Sequence, residues 1–319
     1  MNAPTLHFYD LHPPLADIKE EVLKGLSCQP KAIPPKFFYD EYGSQLFDQI
    51  TELPEYYPTR AEIGIIKEDG EEMVSLLGNE CLLVELGSGS SQKIRLLLDA
   101  LQPAAYMPID ISKEHLLKSA QVLATDYPDL EIHATCADYS EHFHLPYSPD
   151  DKPKAAFFPG SSIGNFDPPQ AQALLQRVAE FLGQDSTLLI GVDIKKEPQR
   201  LNAAYNDAAG VTAAFNLNLL TRINRELEAD FDLSRFEHNA FYNEPQGRVE
   251  MHLVSNTPHE VQVGGQTFEF AEGESIHTEN SYKYTVTQFQ NLANKAGFQP
   301  EQVWMDSADL FSVHCLRVR

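Results

Sequence analysis

The sequence predicts an α/β fold: a doubly wound, Rossmann-like sheet, with a second, discontinuous α+β domain. One observation is the region from about 80 to 195, where short apolar runs alternate with stretches of helical periodicity. Such alternation implies a parallel sheet covered by helices. A second observation is that residues 1–59 and 197–282 do not follow this pattern. The first of these is rich in aromatic residues and prolines, and the second has a long helical stretch followed by alternating strands.

The elements of the predicted sheet follow one another in regular order. The expected strands are Leu82 to Leu86, Tyr106 to Ile109, Leu130 to His133, Ala155 to Phe158 and Leu188 to Val192. The expected helices between them are Ile94 to Leu101, Lys113 to Thr125, and a segment from Ala171 to Leu182 that Gly183 ends. After a further helix ending before Gly297, the runs around Gln302 to Met305 and Ser312 to Val318 predict a hairpin at the edge of the sheet.

These patterns predict two domains, each made of two pieces of chain. The sheet domain comprises residues 60–196 and 283–319, and the second domain comprises 1–59 and 197–282. Within the second domain we expect a strand in which Val249, Met251 and Leu253 face one way, and then a hairpin that turns at Gly264-Gly265.

Composition excludes several classes of function. The chain has 319 residues and a formal net charge of -23. Proteins that bind nucleic acids or anionic membranes need a basic face, so neither partner is expected. The four cysteines, Cys28, Cys81, Cys136 and Cys315, form no CxxC pair, which predicts a reducing compartment. The N-terminal MNAPTLHFYDLHPP has no signal-peptide core, and no run approaches the roughly 20 apolar residues of a membrane span. We therefore expect a soluble, cytoplasmic protein.

The stretch CLLVELGSGSSQK predicts a strand, a glycine turn and a helix, an arrangement that often holds a nucleotide-like cofactor. Gly87 and Gly89 supply the first two glycines of the dinucleotide pattern GxGxxG, but the third is missing. Asp110 ends the next predicted strand, where a carboxylate can accept hydrogen bonds from ribose hydroxyls. Asp138 and Tyr139 follow the third strand and could bracket an adenine. This layout favours S-adenosylmethionine (SAM), which has no pyrophosphate, whereas NAD and a plain strand–turn–helix link stay open.

A metal site is not expected from the sequence. Glu141-His142-Phe143-His144 contains a His-x-His pair, but two histidines alone are a weak signal and no third ligand lies nearby in the sequence.

Six longer motifs carry a family resemblance that covers nearly the whole chain. They are FYDEYGSQLFDQITELPEYYPTRAE, VELGSGSSQK, FFPGSSIGNFDP, LLIGVDIKKEPQRLNAAYND, VTAAFNLNLLTRINREL and TENSYKYT. The chain resembles the SAM-dependent histidine Nα-methyltransferases of ergothioneine biosynthesis, whose relatives include fungal enzymes that act on tryptophan-type amino acids. The resemblance implies a SAM-dependent methyltransferase sheet, a substrate-binding second domain, and trimethylation of L-histidine to hercynine, its betaine, by a monomeric enzyme.

The resemblance also implies roles for single residues. The expected SAM contacts are Gly87, Lys93, Asp110, Asp138 and Tyr139. At the position of Tyr139 the family often has phenylalanine. The expected histidine contacts are Tyr56, Asn165, Tyr205, Glu279 and Ser281. Tyr39 is expected near the reacting amine, and Gly160, Phe47 and Met251 are expected to line the pocket.

Three alternatives stay open at this stage. The first is methylation of another amino acid, such as tryptophan or a prenylated derivative, although an indole pocket has little use for a carboxylate such as Glu279. The others are a nicotinamide oxidoreductase and a non-catalytic sensor of SAM or of an amino acid. Taken singly, each tyrosine is also compatible with a core position, and Glu279 and Ser281 with capping roles.

Overall fold

A computed structural model of the chain describes residues 5–11, 15–89, 91–142, 144–149 and 152–319. Its strands are β1 Leu6–Leu11, β2 Lys31–Ala32, β3 Leu82–Leu86, β4 Ala105–Asp110, β5 Glu131–Ala137, β6 Lys154–Phe158, β7 Thr187–Asp193, β8 Phe236–Asn243, β9 Arg248–Ser255, β10 His259–Val263, β11 Gln266–Phe270, β12 Ser275–Tyr282, β13 Phe298–Met305 and β14 Phe311–Val318. Its α-helices are α1 Leu15–Ser27, α2 Glu41–Glu52, α3 Tyr57–Leu77, α4 Gln92–Leu101, α5 Lys113–Asp126, α6 Pro168–Leu182, α7 Pro198–Tyr205, α8 Val211–Leu227 and α9 Val286–Lys295. Short 3-10 helices cover Pro35–Phe38, Ser162–Asn165 and Leu233–Arg235.

Two compact units emerge from the contacts along the chain. Unit 1 comprises the described residues of Met1–His12, Tyr57–Lys195 and Tyr282–Arg319, and unit 2 those of Pro13–Tyr56 and Lys196–Ser281. Within the described residues, no helix is both long and apolar enough to cross a membrane.

The sheet of unit 1 has the order β1-β5-β4-β3-β6-β7-β14-β13. Strands β1 and β3 to β7 pair in parallel, and β14 runs antiparallel to both β7 and β13. This confirms the predicted doubly wound α/β sheet and the predicted edge hairpin. The strand order reverses at β3, so the crevice beyond the carboxyl ends of β3 and its neighbours is where such sheets bind ligands.

Both faces of this sheet are covered by an apolar core. Along β3, Leu83 packs into one cluster with Ile65 and Leu97, whereas Leu82 and Val84 pack into the opposite cluster. Side chains of a strand alternate between its two faces, so a strand buried on both sides is apolar at successive positions. The run CLLVEL is therefore the signature of a central strand.

The N-terminal segment departs from the prediction that residues 1–59 as a whole belong to the second domain. In the structure, Leu6–Leu11 pair in parallel with β5, from Leu6 opposite Ile132 to Leu11 opposite Ala137, and belong to unit 1. The backbone partners of β1 are more than a hundred residues away in the chain, and local periodicity contains no information about such a pairing.

Unit 2 contains a sheet of order β2-β12-β9-β8 and a separate hairpin, β10-β11. The predicted strand is β9, in which Val249, Met251 and Leu253 are all buried, and the intervening Glu250 is buried as well. The hairpin turns at Gly264-Gly265, as predicted, with Val263 opposite Gln266. The use of unit 2 for substrate binding stays a prediction.

Candidate functional site

In unit 1, the candidate residues cluster at the carboxyl ends of the central strands. Gly87 directly follows β3 and has a φ of +68°, a conformation that costs glycine little. Its N–H donates to the carbonyl oxygen of Ile109 at the end of β4, at 2.9 Å. The turn therefore bends back onto the neighbouring strand. Ser90, which follows Gly89 in the stretch CLLVELGSGSSQK, lies outside the described residues.

Asp110 is the next element of this cluster. Its Oδ2 accepts the N–H of Gly89 at 3.2 Å, and its Oδ1 accepts the N–H of Ser112 at 2.9 Å. Burial raises the pKa of Asp110, and these backbone hydrogen bonds act in the opposite direction. The carboxylate thus joins the glycine turn to the start of α5, and carboxylate oxygens have lone pairs for further donors.

Tyr139 packs over the glycine turn, with its hydroxyl oxygen 3.5 Å from where a Cβ on Gly87 would stand. Its ring also meets Phe158 edge-on, with 5.5 Å between centroids. The neighbouring Asp138 is buried, and its Oδ1 accepts both the N–H and the hydroxyl of Ser140. The structure therefore brings Gly87, Asp110 and Tyr139 together, as the SAM interpretation requires.

Lys93, near the start of α4, forms an ion pair that the sequence analysis missed. Its Nζ lies 2.6 Å from Oε2 of Glu62, a residue of α3 that is fully buried. The same carboxylate accepts the N–H of Gly160, at 3.0 and 3.1 Å from its two oxygens. Glu62 thus connects a predicted SAM contact with a predicted pocket residue. The motif PTRAE contains Glu62, but spacing along a helix does not show that a carboxylate is buried.

The loop that follows β6 contains Gly160 and Asn165. Ser161 has a φ of +61°, unusual for a residue with a side chain, and its Oγ accepts the N–H of Asp193 at 2.8 Å. Asp193 is itself held by Tyr57 and by the buried Lys283, whose Nζ lies 2.8 Å from Oδ2. Asn165, half-buried, ends the 3-10 helix of this loop. Several buried partners therefore fix the backbone on which Asn165 is presented.

Glu85 is a second buried acid beside the glycine turn. It is 1% exposed, and the hydroxyl of Tyr106 donates to its Oε2. Burial raises its pKa to about 8, against the opposing effects of the Tyr106 hydrogen bond and the nearby Lys93. That shift favours the protonated form of Glu85. Glu85 belongs to the motif VELGSGSSQK, and the sequence alone predicts no role for it.

In unit 2, the predicted substrate residues form an aromatic cluster. Tyr39 meets Phe47 edge-on at 5.7 Å between centroids, and Phe47 meets Tyr56 at 6.3 Å. Tyr56 in turn meets Tyr205 at 6.3 Å. Phe215 of α8 packs against both Tyr39 and Phe47. Phe215 was quoted within a motif but not proposed as a site residue, since a phenylalanine on an apolar helix face is typical of a core.

The polar end of this cluster lies on β12. Glu279 and Ser281 are both buried and are separated by one residue, so their side chains leave the strand on the same side. The hydroxyl of Tyr205 donates to Oγ of Ser281 at 2.7 Å. Met251 is buried on β9, and its carbonyl oxygen accepts the hydroxyl of Thr278 on β12. The capping interpretation of Glu279 and Ser281 is wrong, because both lie within a strand.

The predicted residues fall into two sets. Gly160, Asn165 and the predicted SAM contacts belong to unit 1, and the other predicted histidine contacts belong to unit 2. The grouping of Gly160 and Asn165 with the unit 2 residues stays a prediction. His142 and His144, the weak metal pair, are both exposed, and Phe143 between them lies outside the described residues.

The residues of unit 1 fit SAM. Apart from Gly89 and its two chain neighbours, no described residue has an atom within 4 Å of where a Cβ on Gly89 would stand, so a ligand can approach this backbone. The Asp110 carboxylate suits ribose hydroxyls, the Tyr139 ring offers a face to adenine, and Lys93 offers a cation to a carboxylate.

Comparison with known proteins gives the family. A profile described as "Histidine-specific methyltransferase, SAM-dependent" matches residues 18–318. The histidine N-alpha-methyltransferase of Mycolicibacterium smegmatis is 42% identical over 302 residues, which are 93% of this chain and 93% of that protein. Ergothioneine biosynthesis protein 1 of Neurospora crassa is 33% identical over 288 residues, which are 86% of this chain and 32% of that protein. The 4-dimethylallyltryptophan N-methyltransferase of Aspergillus fumigatus is 26% identical over 320 residues, which are 92% of this chain and 94% of that protein. This chain therefore belongs to the family of SAM-dependent, histidine-specific methyltransferases.

Proposed function

We propose that this protein transfers methyl groups from SAM to the α-amino group of L-histidine until it has formed hercynine, the first step of ergothioneine biosynthesis. The observation that carries the proposal is the buried pair Glu279 and Ser281 beside an aromatic cluster, in a chain 42% identical to a histidine N-alpha-methyltransferase. The pair offers one acceptor and one hydroxyl to the two nitrogens of an imidazole.

Substrate recognition would divide between polar and aromatic groups. Glu279 accepts the imidazole N–H, and Ser281, whose oxygen already accepts from Tyr205, donates its own proton to the other ring nitrogen. Tyr56 and Asn165 bind the carboxylate, Tyr205 holds the Ser281 hydroxyl through the one proton it donates, and Phe47, Met251 and Gly160 line the pocket. Tyr39 orients the α-amine, which must present its neutral lone pair to the methyl carbon.

Orientation contributes most of the catalysis in this proposal. Bound SAM would supply an electrophilic methyl carbon. The new N–C bond would form in line as the C–S bond breaks, and S-adenosylhomocysteine would leave as a neutral thioether. Holding two reactants in such a geometry lowers the activation barrier by roughly 7–11 kcal/mol. The aromatic faces around Tyr39 can accommodate the substrate's α-ammonium group, which becomes larger with each methyl group added. The amine gives its proton to solvent or to a tyrosine and water. No catalytic metal is required.

The oligomeric state, the cellular location and the substrate form are also part of the proposed function. We propose a monomeric, cytoplasmic enzyme that acts on free histidine and its mono- and dimethyl intermediates. The net charge of -23 argues against a nucleic-acid partner.

The test is to incubate the protein with SAM and all twenty amino acids and to follow products by mass spectrometry. We expect histidine to gain one, two and finally three methyl groups, with the other amino acids unchanged. A product from tryptophan instead would favour the second candidate, for which the relative from Aspergillus fumigatus gives a precedent. Calorimetry with SAM, NAD and NADP distinguishes the two methyltransferase hypotheses, which require SAM binding, from an oxidoreductase, which requires NAD or NADP binding. SAM binding without any methylated product would indicate a sensor.

A further inference from the structure

Three side chains with metal-binding atoms meet at the edge of the large sheet, apart from the residues proposed above. His7 on the edge strand β1 stands directly opposite His133 on β5. Glu131 precedes His133 by two residues in the same strand, so both side chains lie on one face of the sheet. The pairing of β1 with β5 therefore places two imidazoles and a carboxylate side by side.

The distances suit a single small cation. Oε1 of Glu131 lies 3.1 Å from Nε2 of His133 and 3.5 Å from Nε2 of His7. All three candidate ligand atoms lie within 4.8 Å of one another. Zinc bound tetrahedrally at about 2.0–2.1 Å separates its ligand atoms by about 3.3 Å. Two of the three separations are therefore already close to those of a zinc site.

The orientation of His133 is a second, independent indication. Its side chain is 2% exposed, and among the described residues Nε2 faces Oε1 of Glu131 at 3.1 Å and has no well-aligned hydrogen bond. The other ring nitrogen, Nδ1, lies 3.2 Å from the hydroxyl of Tyr9, and the ring stacks on Tyr147 at 3.6 Å between centroids. Histidines that bind metals are commonly held in this way through their second nitrogen.

We propose that His7, Glu131 and His133 form a zinc(II) site that fastens the edge strand β1 to β5, with water completing the coordination. Two imidazoles and one carboxylate are a donor set that zinc accepts. The side chains of His7 and Glu131 are 47% and 38% exposed, so ion and water can reach the site. The His7 ring stacks nearly parallel on His133, at an interplanar angle of 13°, and must rotate to direct Nε2 at a shared ion. Its exposure allows that rotation.

A second triad shows why this one is favoured. Glu250, His252 and His277 of unit 2 are equally close together. There, however, the guanidinium of Arg248 pairs with Glu250 at 2.8 Å, and Nε2 of His277 is hydrogen-bonded to the carbonyl of Glu279. A cation would have to compete with that arginine. His277→Gln is therefore a control variant, as is His142→Gln in the exposed His142–His144 pair.

The experiment uses the full chain without an affinity tag, freed of metal by chelation and titrated with zinc chloride in a calorimeter. We expect saturable binding of one ion per chain and a melting temperature that rises with zinc concentration. His7→Gln and Glu131→Gln should each weaken zinc binding by more than about tenfold. The two control variants should bind zinc like the unaltered protein. Circular dichroism establishes that every variant is folded.

Two results would overturn the site. One is the absence of saturable zinc binding by the unaltered chain. The other is binding that survives in folded His7→Gln and Glu131→Gln or disappears in a control variant. Because the readout is zinc binding and not methyl transfer, the result is independent of the proposed function.

Discussion

The carboxylate of Glu62 lies 2.6 Å from the ammonium of Lys93 and also accepts the N–H of Gly160. The space it occupies exists because residue 191 is a glycine: a Cβ there would stand 2.2 Å from Oε1 of Glu62. One buried acid therefore positions a lysine on α4 and the loop after β6. Glu62 is a positioning residue in this interpretation, since it acts on a ligand through its two partners.

We predict that Glu62→Gln weakens SAM binding about tenfold or more, because the neutral amide no longer holds the charge of Lys93 in place. Charge-assisted hydrogen bonds contribute about 1.5–3 kcal/mol. Calorimetry with SAM measures the effect, and Glu62→Asp should recover part of it. The matched control is Glu71→Gln, an exposed acid on the same helix. Unchanged SAM affinity in folded Glu62→Gln would refute the positioning role.

Asp110→Ala should weaken SAM binding by roughly 10- to 150-fold, the equivalent of losing about 1.5–3 kcal/mol of hydrogen bonding to a charged group. The variant loses the proposed acceptor for ribose hydroxyls and also the hydrogen bond that orients Gly89. Asp126→Ala, which removes an acid in an ion pair with Arg95 at the end of α5, is the control. If folded Asp110→Ala binds SAM normally, Asp110 does not contact the cofactor.

Glu279→Ala should lower the efficiency of histidine methylation by roughly one to two orders of magnitude. It should also narrow the preference over tryptophan, because a site built for a polar ring rejects analogues that leave its own groups unpaired. The measurement is the ratio of kcat/KM for histidine and tryptophan in both proteins. Glu260→Ala, an exposed acid on β10, serves as the control. A ratio that does not change would remove Glu279 from specificity.

Glu85 predicts a pH dependence of stability. Its pKa rises from 4.5 to about 8 on folding, so between these values the unfolded chain is ionised while the native chain keeps the proton. Ionisation therefore favours the unfolded chain in this range. The free energy of unfolding has its full value below pH 4.5 and falls as pH rises towards 8, by at most about 1.4 kcal/mol per pH unit.

Glu85→Gln has no proton to exchange, so its free energy of unfolding should fall less steeply over this range than that of the unaltered protein. Urea denaturation at several pH values measures both slopes, with Glu71→Gln as the comparison. Parallel slopes for the unaltered protein and Glu85→Gln would show that Glu85 is already ionised in the native state.

Local patterns alone determined much of this protein. The apolar run of β3, the glycines after it and the alternation of strands and helices predicted the doubly wound sheet, and its place for a nucleotide-like ligand. These features repeat within a few residues, because strand and helix periods are local properties of the chain. The long motifs, VELGSGSSQK and TENSYKYT among them, led to the family, and the family profile over residues 18–318 confirmed it.

Only the tertiary structure decided which distant residues meet. It placed β1 beside β5, Glu62 beside Lys93 and Gly160, and the Tyr205 hydroxyl on Ser281. It also showed that Glu85 is buried deeply enough for its pKa to reach about 8. Each of these depends on burial and on contacts between segments far apart in the chain. Such contacts depend on how whole secondary-structure elements pack, and the local spacing of residue types does not predict them.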